Sequence, residues 1–138
     1  MLLEQRKHDK SWLVVIKSIG LDIVEISRIE RDVEKFGDRF VDRILGPDER
    51  SIYEQRRDKS IFLAGRFAAK EAVIKALGVL LTERPPYSAL QILPDEANMP
   101  RVSLPDELGE QVKPATLLIS ITHERSYAAA VALLSEEK

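Results

Sequence analysis

Residues 116–134 read Thr116-Leu117-Leu118-Ile119-Ser120-Ile121-Thr122, then His123-Glu124-Arg125-Ser126, then Tyr127-Ala128-Ala129-Ala130-Val131-Ala132-Leu133-Leu134. Two apolar runs joined by four polar residues suit a β-hairpin, so the chain closes on antiparallel strands. Upstream, Tyr87 to Leu93 and Arg101 to Leu104 predict two further strands, joined by the turn-rich Asp95-Glu96-Ala97-Asn98. Six of the seven prolines fall between Pro85 and Pro114, so this region is not expected to be mainly helix.

The first half carries the opposite signal. A long helix is expected from about Ser60 to Leu77, with high propensity in Phe67-Ala68-Ala69-Lys70-Glu71-Ala72 and Gly78 at its end. Pro47 is placed to open a short helix through about Arg56. Ile29, Val33, Phe36, Phe40 and Ile44 repeat at helical spacing, and Ser27 with Glu30 reads as a capping box at the start. Arg28, Arg31, Lys35, Arg39 and Arg43 form a second stripe, with an interruption at Gly37.

Before these helices, Trp12 to Ile23 is strand-like, and alternation puts Val14, Ile16, Ser18, Gly20 and Asp22 on one face. The expected class is α+β, one domain over residues 12–138 with helices packed on a mainly antiparallel sheet. Residues 1–11 are charged and aperiodic and read as a loose lead-in.

Composition narrows the function. The chain has 138 residues, 44% hydrophobic and 32% charged, enough for one ordinary core. No apolar run approaches the ~20 residues of a bilayer span, and the start is too charged for a signal peptide, so a cytoplasmic location without membrane attachment is expected. Cys is absent, which removes disulfides, thiolate metal sites and Cys nucleophiles. With 21 basic and 23 acidic residues there is no basic surplus, which argues against a nucleic-acid partner. Two His leave carboxylate oxygens as the natural ligands for a hard cation such as Mg²⁺ or Ca²⁺.

Three places could carry chemistry. Asp22 follows Gly20 at the end of an apolar strand; its plain reading is a strand-ending or turn-capping residue. Glu71 and Lys75 are four apart on one helix face, where an exposed pair contributes only ~0.3–0.5 kcal/mol. His123 sits in the last connection, as a polar turn residue or a phosphate donor. Taken together, two carboxylates, a lysine and a histidine suit phosphoryl or pyrophosphate transfer. No Gly-x-x-x-x-Gly-Lys-Ser/Thr or Gly-x-Gly-x-x-Gly motif is present.

The stretches Ile19-Gly20-Leu21-Asp22-Ile23-Val24-Glu25-Ile26 and Phe62-Leu63-Ala64-Gly65-Arg66-Phe67-Ala68-Ala69-Lys70-Glu71-Ala72 resemble the motifs of holo-(acyl carrier protein) synthases. Lys75-Ala76-Leu77-Gly78, Arg43-Ile44-Leu45-Gly46-Pro47-Asp48-Glu49 and Ser120-Ile121-Thr122-His123 are similar too, in family order from about Lys17 to Leu134. The resemblance implies a 4′-phosphopantetheinyl transferase fold. It also implies an enzyme that moves 4′-phosphopantetheine from coenzyme A to a serine of apo acyl carrier protein with Mg²⁺, releasing adenosine 3′,5′-bisphosphate in support of fatty-acid biosynthesis. Matched position by position, Asp22 and Glu71 would be the metal-binding and catalytic carboxylates, with Glu71 also the candidate base. Lys75 would face the pyrophosphate, Arg66 and His123 the coenzyme's phosphates, and Arg28 the docked carrier. Short members of the family are trimers with sites between subunits, so Asp22 and Glu71 could come from neighbouring chains.

The resemblance lapses at Val79-Leu80-Leu81-Thr82, where a small Gly-containing loop is common. It lapses again at Asn98-Met99-Pro100 and at Glu124, whose carboxylate would oppose anion binding if it faced the phosphates. Residues 28–43 hold five basic and five acidic residues, so any steering of an acidic carrier depends on one-sided placement. Two other readings compete: a non-catalytic module for coenzyme A or carrier protein, and a metal-dependent phosphotransferase with a nucleotide donor.

Overall fold

The computed structural model describes residues 13–137. The lead-in expected over 1–11, and residues Trp12 and Lys138 of the expected domain, lie outside the described residues.

Strand β1 (Val14–Glu25) is followed by α1 (Ile26–Phe36), α2 (Asp38–Ile44), α3 (Pro47–Gln55) and α4 (Lys59–Leu77). A 3-10 turn at Tyr87–Ala89 leads into the small ladder of β2 (Gln91–Pro94) and β3 (Pro100–Ser103). Helix α5 (Asp106–Val112) and the hairpin β4 (Thr116–His123) and β5 (Tyr127–Glu137) complete the chain. The fold is α+β, with β5 central in an antiparallel sheet ordered β1-β5-β4.

Helix α4 lies across one face of that sheet. Its buried Ala64, Ala68, Ala69, Ala72 and Ala76 meet Ala128, Ala130 and Ala132 of β5 in the core cluster. Short side chains on both layers let the helix backbone approach the strands closely. The other face of the sheet is bare: Ile19, Leu21, Ile23 and Leu118 stay exposed, with Ile19 and Leu118 both registered on Leu133 and Leu21 on Val131.

Several expectations need correction. The alternation in β1 is broken by an extra residue between Ile16 and Ser18, so Val14 and Ile16 do not share the face of Gly20 and Asp22. Such a bulge reverses the facing of all that precedes it. Ser27 does not cap α1. The helix starts at Ile26 directly off β1, whose amide is already held by the Ser126 carbonyl at 2.9 Å, which leaves Ser27 inside the first turn. Tyr87–Ala89 is a 3-10 turn and the strand begins only at Gln91, because the Tyr87 carbonyl faces a buried lysine rather than a strand partner. Helix α5 was not expected, though Pro105 and Pro114 bracket it without entering it. Gly37, at φ 63°, separates α1 from α2 where the basic stripe was expected to break.

Candidate active site

The site forms where β1 crosses α4. Gly20 is buried, and a Cβ there would overlap the Ala72 carbonyl, so only glycine permits this crossing. The close approach brings Lys75 onto β1. Its Nζ donates to the Leu21 carbonyl at 2.8 Å and to Asp22 Oδ1 at 3.3 Å. Glu71 lies one turn earlier on the same helix face. A single chain therefore gathers Asp22, Glu71 and Lys75 at one crossing.

Glu71 is held by residues that the motifs did not reveal. Arg84 Nη2 donates to Glu71 Oε1 at 2.7 Å, and the Tyr87 hydroxyl donates to the same oxygen. Arg84 also sits over the Tyr87 ring at 5.2 Å, and that ring packs on Phe67 with centroids 5.5 Å apart. Burial, followed by the hydrogen bond to Glu71, raises the Tyr87 phenol above its ordinary value.

The neighbouring Lys70 has a different environment. It is fully buried, and its Nζ donates to Glu49 Oε1 and the Ile44 carbonyl, each at 2.5 Å, and to the Tyr87 carbonyl at 3.0 Å. Burial pushes its ammonium below the usual lysine range, and Glu49 offsets part of that. Glu49 in turn accepts from the Gly46 and Ile92 amides at 2.9 and 3.0 Å. This buried pair ties α2, α3, α4 and the Tyr87 turn together beneath the site.

Arg66 and His123 lie elsewhere. Arg66 is five residues before Glu71, about 140° round the helix. It lines a cleft of about 270 Å³ with Arg56, Phe62, Asn98, Pro100 and Ile121. Its guanidinium stacks on Phe62 at 4.5 Å, while its Nε stands 3.8 Å from Glu49 Oε2 and has no hydrogen-bond partner. Burial holds it below its ordinary value, Glu49 opposing and Arg56 adding to that shift. His123 ends β4 two residues beyond Ile121 and is exposed; nearby, the Arg56 hydrogen bond holds the Asp58 carboxyl below its ordinary value.

Arg28 projects from α1 over the Phe67 ring at 5.9 Å. Glu124 closes its own hairpin, its Oε1 accepting the Ser126 and Tyr127 amides at 2.6 and 2.7 Å. Asn98, at φ 61°, takes the left-handed conformation that a glycine would adopt more easily.

Among the described residues no group of three or more His, Cys, Asp or Glu could enclose a metal ion. Two carboxylates do suit Mg²⁺, which binds through one or two of them and fills its shell with water and substrate phosphate oxygens. Each carboxylate already faces a cation, Asp22 facing Lys75 and Glu71 facing Arg84, so both charges are balanced within the chain.

A family model for the 4′-phosphopantetheinyl transferase superfamily matches residues 18–132. The holo-[acyl-carrier-protein] synthase of Protochlamydia amoebophila is 41% identical over 117 residues, covering 85% of this chain and 96% of that protein. The Listeria innocua holo-[acyl-carrier-protein] synthase is 40% identical over 124 residues, covering 88% and 100%. Among solved structures, the Neisseria meningitidis holo-[acyl-carrier-protein] synthase superposes with TM-score 0.80 at 31% identity, covering 87% and 98%. The Helicobacter pylori enzyme, solved in complex with coenzyme A, superposes with TM-score 0.72 at 36% identity, covering 84% and 98%. The chain belongs to the 4′-phosphopantetheinyl transferase superfamily, among its holo-[acyl-carrier-protein] synthases, and is an enzyme of that kind. The non-catalytic module considered from sequence gives way to this.

Proposed function

We propose that the chain transfers 4′-phosphopantetheine from coenzyme A to a serine of apo acyl carrier protein in a Mg²⁺-dependent reaction, releasing adenosine 3′,5′-bisphosphate. The observation that carries this reading is the grouping of Asp22, Glu71 and Lys75 over the Gly20–Ala72 crossing.

Asp22 and Glu71 would hold the cation, which supplies charge neutralisation at the pyrophosphate. The serine Oγ attacks the β-phosphorus, the bond from that phosphorus to the bridging oxygen breaks, and the bisphosphate leaves with the oxygen. Glu71 accepts the serine proton, directly or through one water. Lys75 neutralises the pyrophosphate from its anchor on Leu21. The unsatisfied Nε of Arg66, in a cleft shared with Arg56 and with Ile121 of the strand that ends at His123, supports a phosphate of the coenzyme there. Arg28 on α1 fits an acidic carrier, and a role in cytoplasmic fatty-acid biosynthesis accords with that choice of partner.

The bare sheet face supports a homotrimer. Ile19, Leu21 and Ile23 are 63–65% exposed in the single chain, an apolar patch that a second copy would cover. The Arg66 cleft and the Asp22–Glu71 crossing lie on different sides of α4, so neighbouring copies would join one chain's cleft to another's carboxylates.

The test is intact mass of an apo acyl carrier protein after incubation with this protein, coenzyme A and Mg²⁺. The expected result is a gain of one phosphopantetheine that disappears with a chelator and with Glu71→Ala. Full transfer by Glu71→Ala would remove Glu71 from the mechanism, and an unchanged carrier mass with the native protein would overturn the reaction.

A further inference from the structure

The contact between Arg84 and Glu71 is not explained by the transfer reaction. Arg84 comes from the segment after α4, close to the stretch where resemblance to the family lapses. It reaches back 13 residues to donate to Glu71 at 2.7 Å. Tyr87 holds it there: the Arg84 Nη2 also donates to the Tyr87 hydroxyl at 2.5 Å, and its guanidinium lies over the Tyr87 ring. Tyr87 itself is fixed, since its ring packs on Phe67 and its carbonyl is bound by the buried Lys70.

Both donors take the same oxygen, Oε1. A divalent cation bound at about 2.0–2.1 Å to either carboxylate oxygen puts like charge close to the guanidinium, so the two compete for Glu71 by charge. We infer that Arg84 is a built-in counter-ion for Glu71 and that a divalent cation binding Glu71 displaces it. The inference rests on the reading of Glu71 as a metal ligand. Arg84 is 57% exposed while Glu71 is 19% exposed, so the arginine is the partner free to leave. Water receives its released charge at little cost. Lys75 differs, because its hydrogen bond to the Leu21 carbonyl keeps it at the crossing whatever occupies Asp22. Arg84 therefore lowers the affinity of the resting site for metal and keeps Glu71 neutralised until a cation arrives.

The experiment is a titration with Mn²⁺ alone, followed by electron paramagnetic resonance, without coenzyme or carrier. Arg84→Ala is expected to bind Mn²⁺ about two- to fivefold more tightly than the native protein, the range an exposed ion pair of this kind allows. In a Glu71→Gln background, residual binding through Asp22 should be unchanged by Arg84→Ala. Equal affinity of the native protein and Arg84→Ala, with Glu71→Gln weakened, overturns the counter-ion and leaves the metal reading intact. Equal tightening in both backgrounds also overturns it, because that is the signature of a general charge effect. If Glu71→Gln leaves native Mn²⁺ binding untouched, Glu71 is not a ligand and the inference falls with that reading.

Discussion

Gly20 of β1 and Ala72 of α4 meet backbone to backbone, with no room for a Cβ on the glycine. The functional consequence is immediate: the same crossing lets Lys75 reach Leu21 and Asp22 from the helix. Gly20→Ala forces β1 and α4 apart along their whole contact, since the obstructing atoms belong to the helix backbone and cannot rotate away. The expected cost is on the order of 3 kcal/mol, from overpacking in a close-packed layer. Chemical unfolding should show the loss in the midpoint, and carrier-mass assays should show transfer falling with it. A variant of native stability would mean that the crossing yields more easily than its geometry indicates.

The first four helices and the last hairpin were legible because their signals are local. Pro47 marks the opening of α3 by itself, and the alanine run in α4 and the apolar runs of β4 and β5 extend over many residues. Asp22, Glu71 and Lys75 could be named as a group, though only the Gly20 crossing shows why they meet. The extra residue at Lys17 was not legible, because one insertion leaves no mark in an alternating pattern except at its partner strand. Tyr87 and Arg84 were hidden for another reason. Their hydrogen bonds to Glu71 span 16 and 13 residues, off the end of α4 and back, and no spacing rule encodes such a return.

Lys70 tests how the site is supported from below. Lys70→Met removes the cation and leaves the Glu49 carboxylate fully buried with two backbone donors and Arg66 at 3.8 Å. Breaking a buried pair from one side typically costs about 3–5 kcal/mol, most of it the uncompensated charge. Adding Glu49→Gln removes that charge while keeping an oxygen for a backbone amide. The double variant should thus be more stable than Lys70→Met alone, a coupling visible in a double-mutant cycle of unfolding free energies. If the double variant is no better, packing rather than charge explains the loss.

The β2–β3 turn offers a prediction in pH. Asp95 Oδ2 accepts from Arg101 Nε at 2.8 Å, and its Oδ1 accepts the Ala97 and Met99 amides at 2.9 Å. The Arg101 hydrogen bond, then the Met99 amide, holds this carboxyl below its ordinary value in the folded chain. A lowered folded value means that the unfolded chain takes up the proton first as pH falls. The stabilisation is therefore complete above the unfolded carboxyl value of about 3.9 and disappears as pH drops through the folded value. Asp95→Asn keeps an oxygen for the two amides and removes both the charge and the acceptor that meets Arg101. Its unfolding midpoint should lie below that of the native protein at pH 7, and the gap should narrow as pH falls below the unfolded carboxyl value of about 3.9. A gap of constant size across that range would assign the effect to turn geometry and remove the carboxylate's charge from the account.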